Sequence, residues 1–145
     1  MASQRDMDAA LSAAATKGDL DEVRSLLYRH ANAHAVGLHL ASANGHHQCV
    51  ELLLDRQADV NGVDEYNATP LHAASGRGRH KCVALLLDRQ ADINAVDNHN
   101  STPLHTASIN CHRQCVELLI DRGADKSIKD VRDYARDDLL HLLLI

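Results

Sequence analysis

Residues 63–95 read VDEYNATPLHAASGRGRHKCVALLLDRQADINA, and residues 96–128 read VDNHNSTPLHTASINCHRQCVELLIDRGADKSI. The second segment repeats the first at the same spacing, with Thr-Pro-Leu-His near the start and Ala-Asp near the end. A third copy covers residues 35–62, and a partial copy covers residues 7–34. Self-similarity with a period of about 20 to 50 residues is typical of solenoids, in which each unit packs only on its neighbours. We therefore predict one mostly α-helical domain, residues 1–145, made of stacked helix-turn-helix units.

Each complete unit has the signals of a short helix followed by a longer one. Thr69-Pro70 and Thr102-Pro103 each combine a capping hydroxyl with a proline at the first helical position, where its fixed φ suits the helix. Asp19 has the capping role for the second helix of the first unit. The predicted helices cover residues 8–16, 19–29, 71–76, 79–88, 104–110 and 112–121.

Several turn positions are predicted to need a positive φ. Asn67 and Asn100 precede the capping threonines, and asparagine tolerates this conformation better than most residues do. Gly123 has the left-handed position that ends the last long helix. Gln57 and Gln90 stand at the matching places, where each is expected to cost about 1 kcal/mol relative to glycine.

Both ends of the array depart from the repeat. About six residues are missing between the first and second units, within residues 30–37. Val36-Gly37 stands where later units have Thr-Pro, so we expect a frayed start to the first helix of the second unit. Residues 129–145 lack a complete unit and predict a helical cap, with its helix over residues 133–144. The leucines of this helix favour packing on the fourth unit, and self-association into a dimer is the alternative.

The composition limits the classes of function. The formal net charge is −5, and the chain has no Phe or Trp, so the core must consist of Leu, Ala, Val and Ile. Lys and Arg are scattered among acids, which argues against the basic surface of a nucleic-acid-binding protein. No apolar run of about 18 residues predicts a membrane span. The N-terminus has charges where a signal peptide has an apolar core. We expect a cytoplasmic or nuclear protein.

The cysteines follow the repeat. Cys49, Cys82 and Cys115 recur at its period, and equivalent positions in stacked helices lie about 8–10 Å apart. A disulfide needs Cα atoms within about 7 Å, so we predict reduced thiols that act as small core residues. Cys111, His112 and Cys115 together offer the ligand types of zinc, and a metal-dependent module is therefore an alternative.

The period, Thr-Pro-Leu-His, Val-x-Leu-Leu-Leu and Ala-Asp-Val-Asn together resemble the ankyrin repeat over residues 35–128, with partial matches at both ends. The resemblance implies units of two antiparallel helices and a projecting β-hairpin or turn, stacked into a curved array. It also implies that partner proteins bind on the concave face and at the hairpin tips. We therefore predict a monomeric, non-catalytic interaction module, an adaptor or scaffold. It is expected to need no cofactor or metal and to bind no nucleic acid, membrane or small-molecule substrate. A stoichiometric inhibitor or regulatory subunit of an enzyme is the alternative.

Positions that differ between units mark the predicted partner surface, since positions that keep the unit folded are the same in every copy. Tyr66 is the strongest candidate, because aromatic side chains at exposed tips tend to anchor interfaces. Arg77 and His99 are expected to add charge-assisted contacts, and Ile109 is also compatible with the core. The complete set is Ala43, Asn44, Glu65, Tyr66, Ala68, Gly76, Arg77, Asn98, His99, Ser101, Ile109 and Asn110.

Two further sets of residues recur with the repeat. His39, His72 and His105 are predicted to form a ladder in which each imidazole bonds a threonine hydroxyl and backbone groups of its own or the next unit. Asn61 and Asn94 resemble the position that asparaginyl hydroxylases modify in ankyrin repeats. A bond from each asparagine to its own hairpin is expected whether or not the residue is hydroxylated.

Overall fold

The computed structural model describes residues 2–29, 35–130 and 132 of the chain. These residues form eight α-helices and no β-strand. We call each successive pair of helices a unit, its first helix inner and its second helix outer. The predicted helix over residues 133–144 lies outside the described residues, as does most of the shortened link between the first two units. The helices are α1 (Gln4–Lys17), α2 (Leu20–Tyr28), α3 (Ala35–Asn44), α4 (His47–Asp55), α5 (Pro70–Gly76), α6 (His80–Asp88), α7 (Pro103–Ile109) and α8 (Arg113–Asp121).

The four units stack in chain order. The inner helices α1, α3, α5 and α7 contact one another in succession, and the outer helices form a second row. One apolar cluster runs through all four units, with Leu11, Leu38 and Leu71 buried at 0–1% exposure. Leu104 of the fourth unit packs against the same cluster. The predicted solenoid with one continuous core is confirmed. None of the described helices is long and apolar enough to cross a membrane.

The starts of α5 and α7 follow from the Thr-Pro-Leu-His sequence. The backbone N–H of Thr69 donates to Nδ1 of His72 at 3.1 Å, and the N–H of His72 donates back to the threonine hydroxyl at 3.4 Å. Thr102 and His105 repeat this reciprocal pair, at 3.0 and 3.4 Å. Asp19 caps α2 through its carboxylate, as predicted. Each cap satisfies N–H groups that a helix start otherwise leaves unpaired.

One expectation about α3 is wrong. Val36 and Gly37, the pair expected to be frayed, lie within a helix that begins at Ala35. Gly37 is buried, and a Cβ at this position would be 4.0 Å from side-chain atoms of Ala15 and Leu53. Packing of this helix between α1 and α4 therefore stabilises it without the Thr-Pro sequence of the later units, as is usual for short helices.

The connections after the outer helices are turns. The paired β-hairpins implied by the resemblance are not found in the described residues. The N–H of Asp64 donates to the carbonyl of Ala68 at 3.0 Å, and the N–H of Asn67 donates to that of Asp64 at 3.0 Å. Adjacent turns are joined by a bond from the N–H of Asn98 to the carbonyl of Tyr66, at 3.0 Å. These bonds close the turns but are too few to form a ladder.

The predicted positive-φ positions are confirmed. Asn67 and Asn100 have φ of 60° and 57°, and Gln57 and Gln90 have φ of 67° and 66°. Gly123 occupies the matching place after the last outer helix, at 90°. The two glutamines therefore adopt a conformation that costs an L-residue more than it costs glycine.

The turn between the two helices of a unit is covered by the following unit. His46, Arg79 and His112 share one repeat position, and a side-chain nitrogen of each bonds a carbonyl oxygen of the preceding unit, at 3.0, 3.1 and 3.0 Å. The covered turn needs glycine: Gly78 has φ of 71°, and a Cβ on it would lie 2.6 Å from Nδ1 of His112. The fourth unit has Cys111 at the glycine position, exposed and with φ of 59°.

Candidate functional site

The predicted histidine ladder is present and joins neighbouring units. Nδ1 of His72 accepts from the N–H of Thr69 and lies 2.9 Å from its hydroxyl oxygen. Because an accepting ring nitrogen carries no proton, Nε2 bears the hydrogen and donates to the carbonyl of Ser101 in the next unit, at 2.8 Å. Nε2 of His39 makes the matching contact with the carbonyl of Ala68, at 2.7 Å.

This geometry assigns the ladder a structural role. His72 is 3% exposed, and burial lowers the pKa of its imidazole because the charged form would lose its hydration. Both of its nitrogens are already bonded to buried groups. His105 uses Nδ1 in the same way, accepting from the N–H of Thr102. A neutral ring with both nitrogens occupied is not available as a general base.

Asn61 and Asn94 fasten each turn to the next unit. The side-chain carbonyl of Asn61 accepts from the N–H of Asp92 at 2.8 Å, and that of Asn94 accepts from the N–H of Asp125 at 2.8 Å. The expectation that these side chains bond their own hairpin is therefore wrong. The bond within the turn is made by the backbone instead, since the N–H of Asn61 donates to the carboxylate of Asp59 at 3.0 Å. Hydroxylation of either asparagine stays a prediction.

The first set of predicted partner residues lies at the tips of the turns, and we call it the tip group. It consists of Glu65, Tyr66, Asn98 and His99, all of which are exposed. Tyr66 has 60% of its surface exposed. Asn98 binds the third unit through its backbone and through its side chain, which donates to the carbonyl of Glu65 at 3.5 Å. The structure thus brings the tips of the third and fourth units together.

The second set lies at the C-terminal ends of the inner helices, and we call it the helix-end group. A Cβ on Gly76 would lie 3.7 Å from Thr106 and 3.8 Å from Asn110, so the ends of α5 and α7 are adjacent. Ile109 is 49% exposed and so belongs to the surface rather than to the core. Each of these inner helices has seven residues, which separates the two groups by about 10 Å. The helix-end group comprises Ala43, Asn44, Gly76, Arg77, Ile109 and Asn110.

Ser101 does not reach the predicted surface. It is 2% exposed, its hydroxyl donates to the buried carboxylate of Asp130 at 3.2 Å, and its N–H donates to Asp97 at 3.0 Å. Its difference from the half-buried Ala68 therefore reflects this internal pairing, and we remove Ser101 from the proposed surface. The carbonyls of both residues accept from the histidine ladder.

The model for the family described as "Ankyrin repeats (3 copies)" matches residues 11–97 and 38–130. The chain belongs to the ankyrin repeat family. The comparison with curated proteins gave no match. Ankyrin repeats are generally protein–protein interaction modules and are typically non-catalytic.

The cysteines of this ankyrin domain do not converge on a metal site. Cys49, Cys82 and Cys115 are buried at 0–1% exposure, and burial raises the pKa of all three thiols, that of Cys82 to about 11. Cys111 is exposed on its turn, whereas Cys115 is buried. Over the described stretches of the chain, no group of three or more His, Cys, Asp or Glu residues is placed to hold a metal ion.

Sequence reasoning missed two neighbours of Arg77 in the ankyrin turn of the third unit. Residues 77–81 read RGRHK, whereas the matching residues 44–48 of the second unit read NGHHQ. Arg77, Arg79 and Lys81 are all exposed. Comparison of the units shows a cation in the third unit at three positions where the second unit is neutral. The prediction from the sequence included only Arg77.

Proposed function

We propose that this ankyrin repeat chain is a non-catalytic adaptor that binds another protein through the tip group and the helix-end group. The observation that carries the proposal is a comparison between residues that are the same in the third and fourth units and residues that differ between them. Residues that are the same in the third and fourth units, such as His72 and Asn67 with their counterparts His105 and Asn100, are occupied in bonds that cap helices or join units. Most residues that differ between these units are exposed. A fixed scaffold that presents variable side chains is what a binding module requires.

The energetics of the two groups fit this role. Tyr66 and Ile109 offer large apolar side chains that are 60% and 49% exposed, and burial of such side chains by a partner removes apolar surface from water. The turns that carry the tip group are fixed by the side chains of Asn67 and Asn100, which donate to the carbonyls of Val96 and Lys129 at 3.1 and 2.6 Å. A preformed surface loses little conformational entropy on binding, so more of the contact energy appears as affinity.

The free cysteines support a reducing compartment. All four are unpaired, and three of them lie in the core. Disulfides persist in oxidising compartments and are rare in the cytosol and nucleus. We therefore assign the protein to the cytoplasm or nucleus, where we expect it to act as a monomer.

Affinity capture from lysate tests the proposed surface. The immobilised baits are the unmodified chain, a Tyr66→Ala/Ile109→Ala double variant and a Tyr28→Ala control, whose tyrosine is 80% exposed on the outer helix α2. We expect the unmodified chain and the control to recover the same proteins, and the double variant to lose them. Equal recovery by all three baits would contradict the proposal. If the captured protein is an enzyme that loses activity at a one-to-one ratio, the chain is an inhibitor and not an adaptor.

A further inference from the structure

The charges of the second, third and fourth units separate into two opposite edges. The turns between inner and outer helices form one edge, which we call the inter-helix edge; its segments in these three units contain no Asp or Glu, whereas the first unit has Asp19 in this turn. The connections after the outer helices form the other edge, over residues 55–68, 88–101 and 121–130. These connections carry ten carboxylates against five Lys or Arg side chains. The segments of the inter-helix edge are residues 43–50, 75–87 and 109–116.

The centre of the inter-helix edge carries a cluster of cations. Arg77, Arg79 and Lys81 are all exposed; the two arginines lie in the turn of the third unit, and Lys81 lies in the first turn of α6. The fourth unit has neutral Asn, His and Gln at the matching positions. The second unit is neutral there as well, with Asn44, His46 and Gln48.

The cluster borders a preformed cleft. Nε of Arg79 donates to the carbonyl of Ala43 at 3.1 Å, which fixes the side chain and leaves the terminal nitrogens of its guanidinium group outside that bond. The cleft lies between the turns of the second and third units and has a volume of about 180 Å³. Asn44, Gly45 and Lys81 are among its lining residues. An acidic side chain of a partner therefore meets cations that are partly ordered before binding.

The position of the cluster is unfavourable for the helix that carries it. The N-terminus of a helix has a partial positive charge, and it is stabilised by acids and destabilised by cations. The first turn of α6 has no acid, and Arg79 at its N-cap makes no side-chain capping bond. The helices α4 and α8 also lack a first-turn acid and a side-chain cap, but the residue at their N-cap is a histidine, whereas α6 has Arg79. Local conflicts of this kind are expected where function requires them.

We propose that Arg77, Arg79 and Lys81 form a docking site for an extended, aspartate- or glutamate-rich segment of a partner protein. A nucleic acid fits less well, because the chain has a net charge of −5 and the cations of the cluster lie within residues 77–81. The inter-helix edge also has no aromatic side chain on which a base can stack. Arg77 belongs to the helix-end group, but the other two cations do not. The inference therefore does not rest on the proposed function.

Binding of a short, labelled polyglutamate peptide, followed by fluorescence anisotropy at low and at physiological salt, tests the site. The test variant is Arg77→Asn/Arg79→His/Lys81→Gln, which gives the third unit the residues of the second. Histidine at 79 keeps the donor to the preceding carbonyl, as in the second and fourth units. The control has the same loss of charge elsewhere and is Arg24→Gln/Arg56→Gln/Lys126→Gln.

We expect the peptide to bind the unmodified chain and the control equally, more weakly as salt rises. The test variant is expected to bind at least about tenfold more weakly, since three exposed ion pairs together correspond to a change of this order. Thermal melting followed by circular dichroism checks that the test variant folds. If the test variant does not fold, the single Arg79→His variant takes its place.

Equal binding by the test variant, or no binding by the unmodified chain, would overturn the proposal. Two further results would also overturn it by assigning another occupant. One is a single-stranded RNA that binds more tightly than the peptide and depends on the same three residues. The other is a salt-sensitive dimer of the chain alone, detected by sedimentation and absent from the test variant, which would identify the acidic edge of a second copy as the occupant.

Discussion

Replacing His72 with alanine tests whether the histidine ladder holds the third and fourth units together. The ring accepts from the N–H of Thr69 and donates to the carbonyl of Ser101, across the boundary between units. Thr69 and Ser101 are 3% and 2% exposed, so water does not replace the lost partner without a structural change. The variant leaves the N–H of Thr69 buried and unpaired, whereas the carbonyl of Ser101 loses one of two bonds and keeps the one from the N–H of Asp97, at 3.0 Å.

The magnitude follows from these losses. A buried N–H that loses its partner costs about 1–3 kcal/mol, the lost bond to the carbonyl costs about 0.5–1.5 kcal/mol, and removal of the ring adds the cost of a cavity. We therefore expect the His72→Ala variant to lose about 3–5 kcal/mol of unfolding free energy. Domains of this size are stable by about 5–15 kcal/mol, so the loss is a large fraction of the total.

Urea denaturation followed by far-UV circular dichroism measures this loss. The matched control is His99→Ala, which removes an exposed histidine at the tip of the fourth unit and is expected to change the unfolding free energy by less than about 0.5 kcal/mol. A His72→Ala variant destabilised by less than about 1 kcal/mol, with an unchanged denaturant slope, would refute the reasoning that buried partners are orphaned.

Four further predictions follow from the same geometry. The unfolding free energy should fall as pH drops below about 6.5. Burial lowers the pKa of His72, so the unfolded chain binds a proton that the folded ring excludes. The His72→Ala variant should show a weaker dependence of the unfolding free energy on pH. Ser75→Ala should raise the midpoint of urea unfolding, since the serine hydroxyl is buried without a hydrogen bond, whereas Ser108→Ala at the exposed matching position should not. Gln90→Gly should raise the unfolding free energy by about 0.5–1 kcal/mol, because φ is 66°. Of the four thiols, Cys111 should react first with a thiol reagent at neutral pH, because burial raises the pKa of the other three.

Opposite results would contradict these predictions separately. If the unfolding free energy depends on pH equally in the unmodified chain and in His72→Ala, groups other than His72 cause the pH dependence. Equal effects of the two serine variants would remove the argument from the buried hydroxyl. A destabilising Gln90→Gly would show that the side chain contributes more than the backbone conformation costs. Uniform reactivity of the four thiols would contradict their assigned burial.

The fold was predictable from the sequence because local and long-range signals agree. Thr-Pro marks the starts of α5 and α7, and the repeat period aligns the leucines of successive units. The start of α3 was not predictable in this way, since Gly37 is helical through its packing between α1 and α4 and not through any capping signal. The β-hairpins were predicted from the family resemblance. That resemblance carries no information about how many backbone hydrogen bonds these particular turns form.

The candidate surface was only partly predictable. Comparison of units identifies positions that differ, but it does not distinguish a solvent-facing difference such as Tyr66 from an internal one such as Ser101. The decisive contact of Ser101 is with Asp130, which lies beyond the last complete repeat. The partner of Asn61 is a backbone N–H in the next unit, and a bond of this kind leaves no mark in the pattern of side chains.

Cys111 determines the direction in which the array can be lengthened by design. At Gly78 the ring of His112 lies where a Cβ would be, and this contact repeats at every junction between units that needs glycine. A fifth unit placed on the fourth in the same register would direct its own covering residue against the Cβ of Cys111. Duplication of an internal unit keeps every junction intact, whereas growth from the C-terminal side first requires Cys111→Gly.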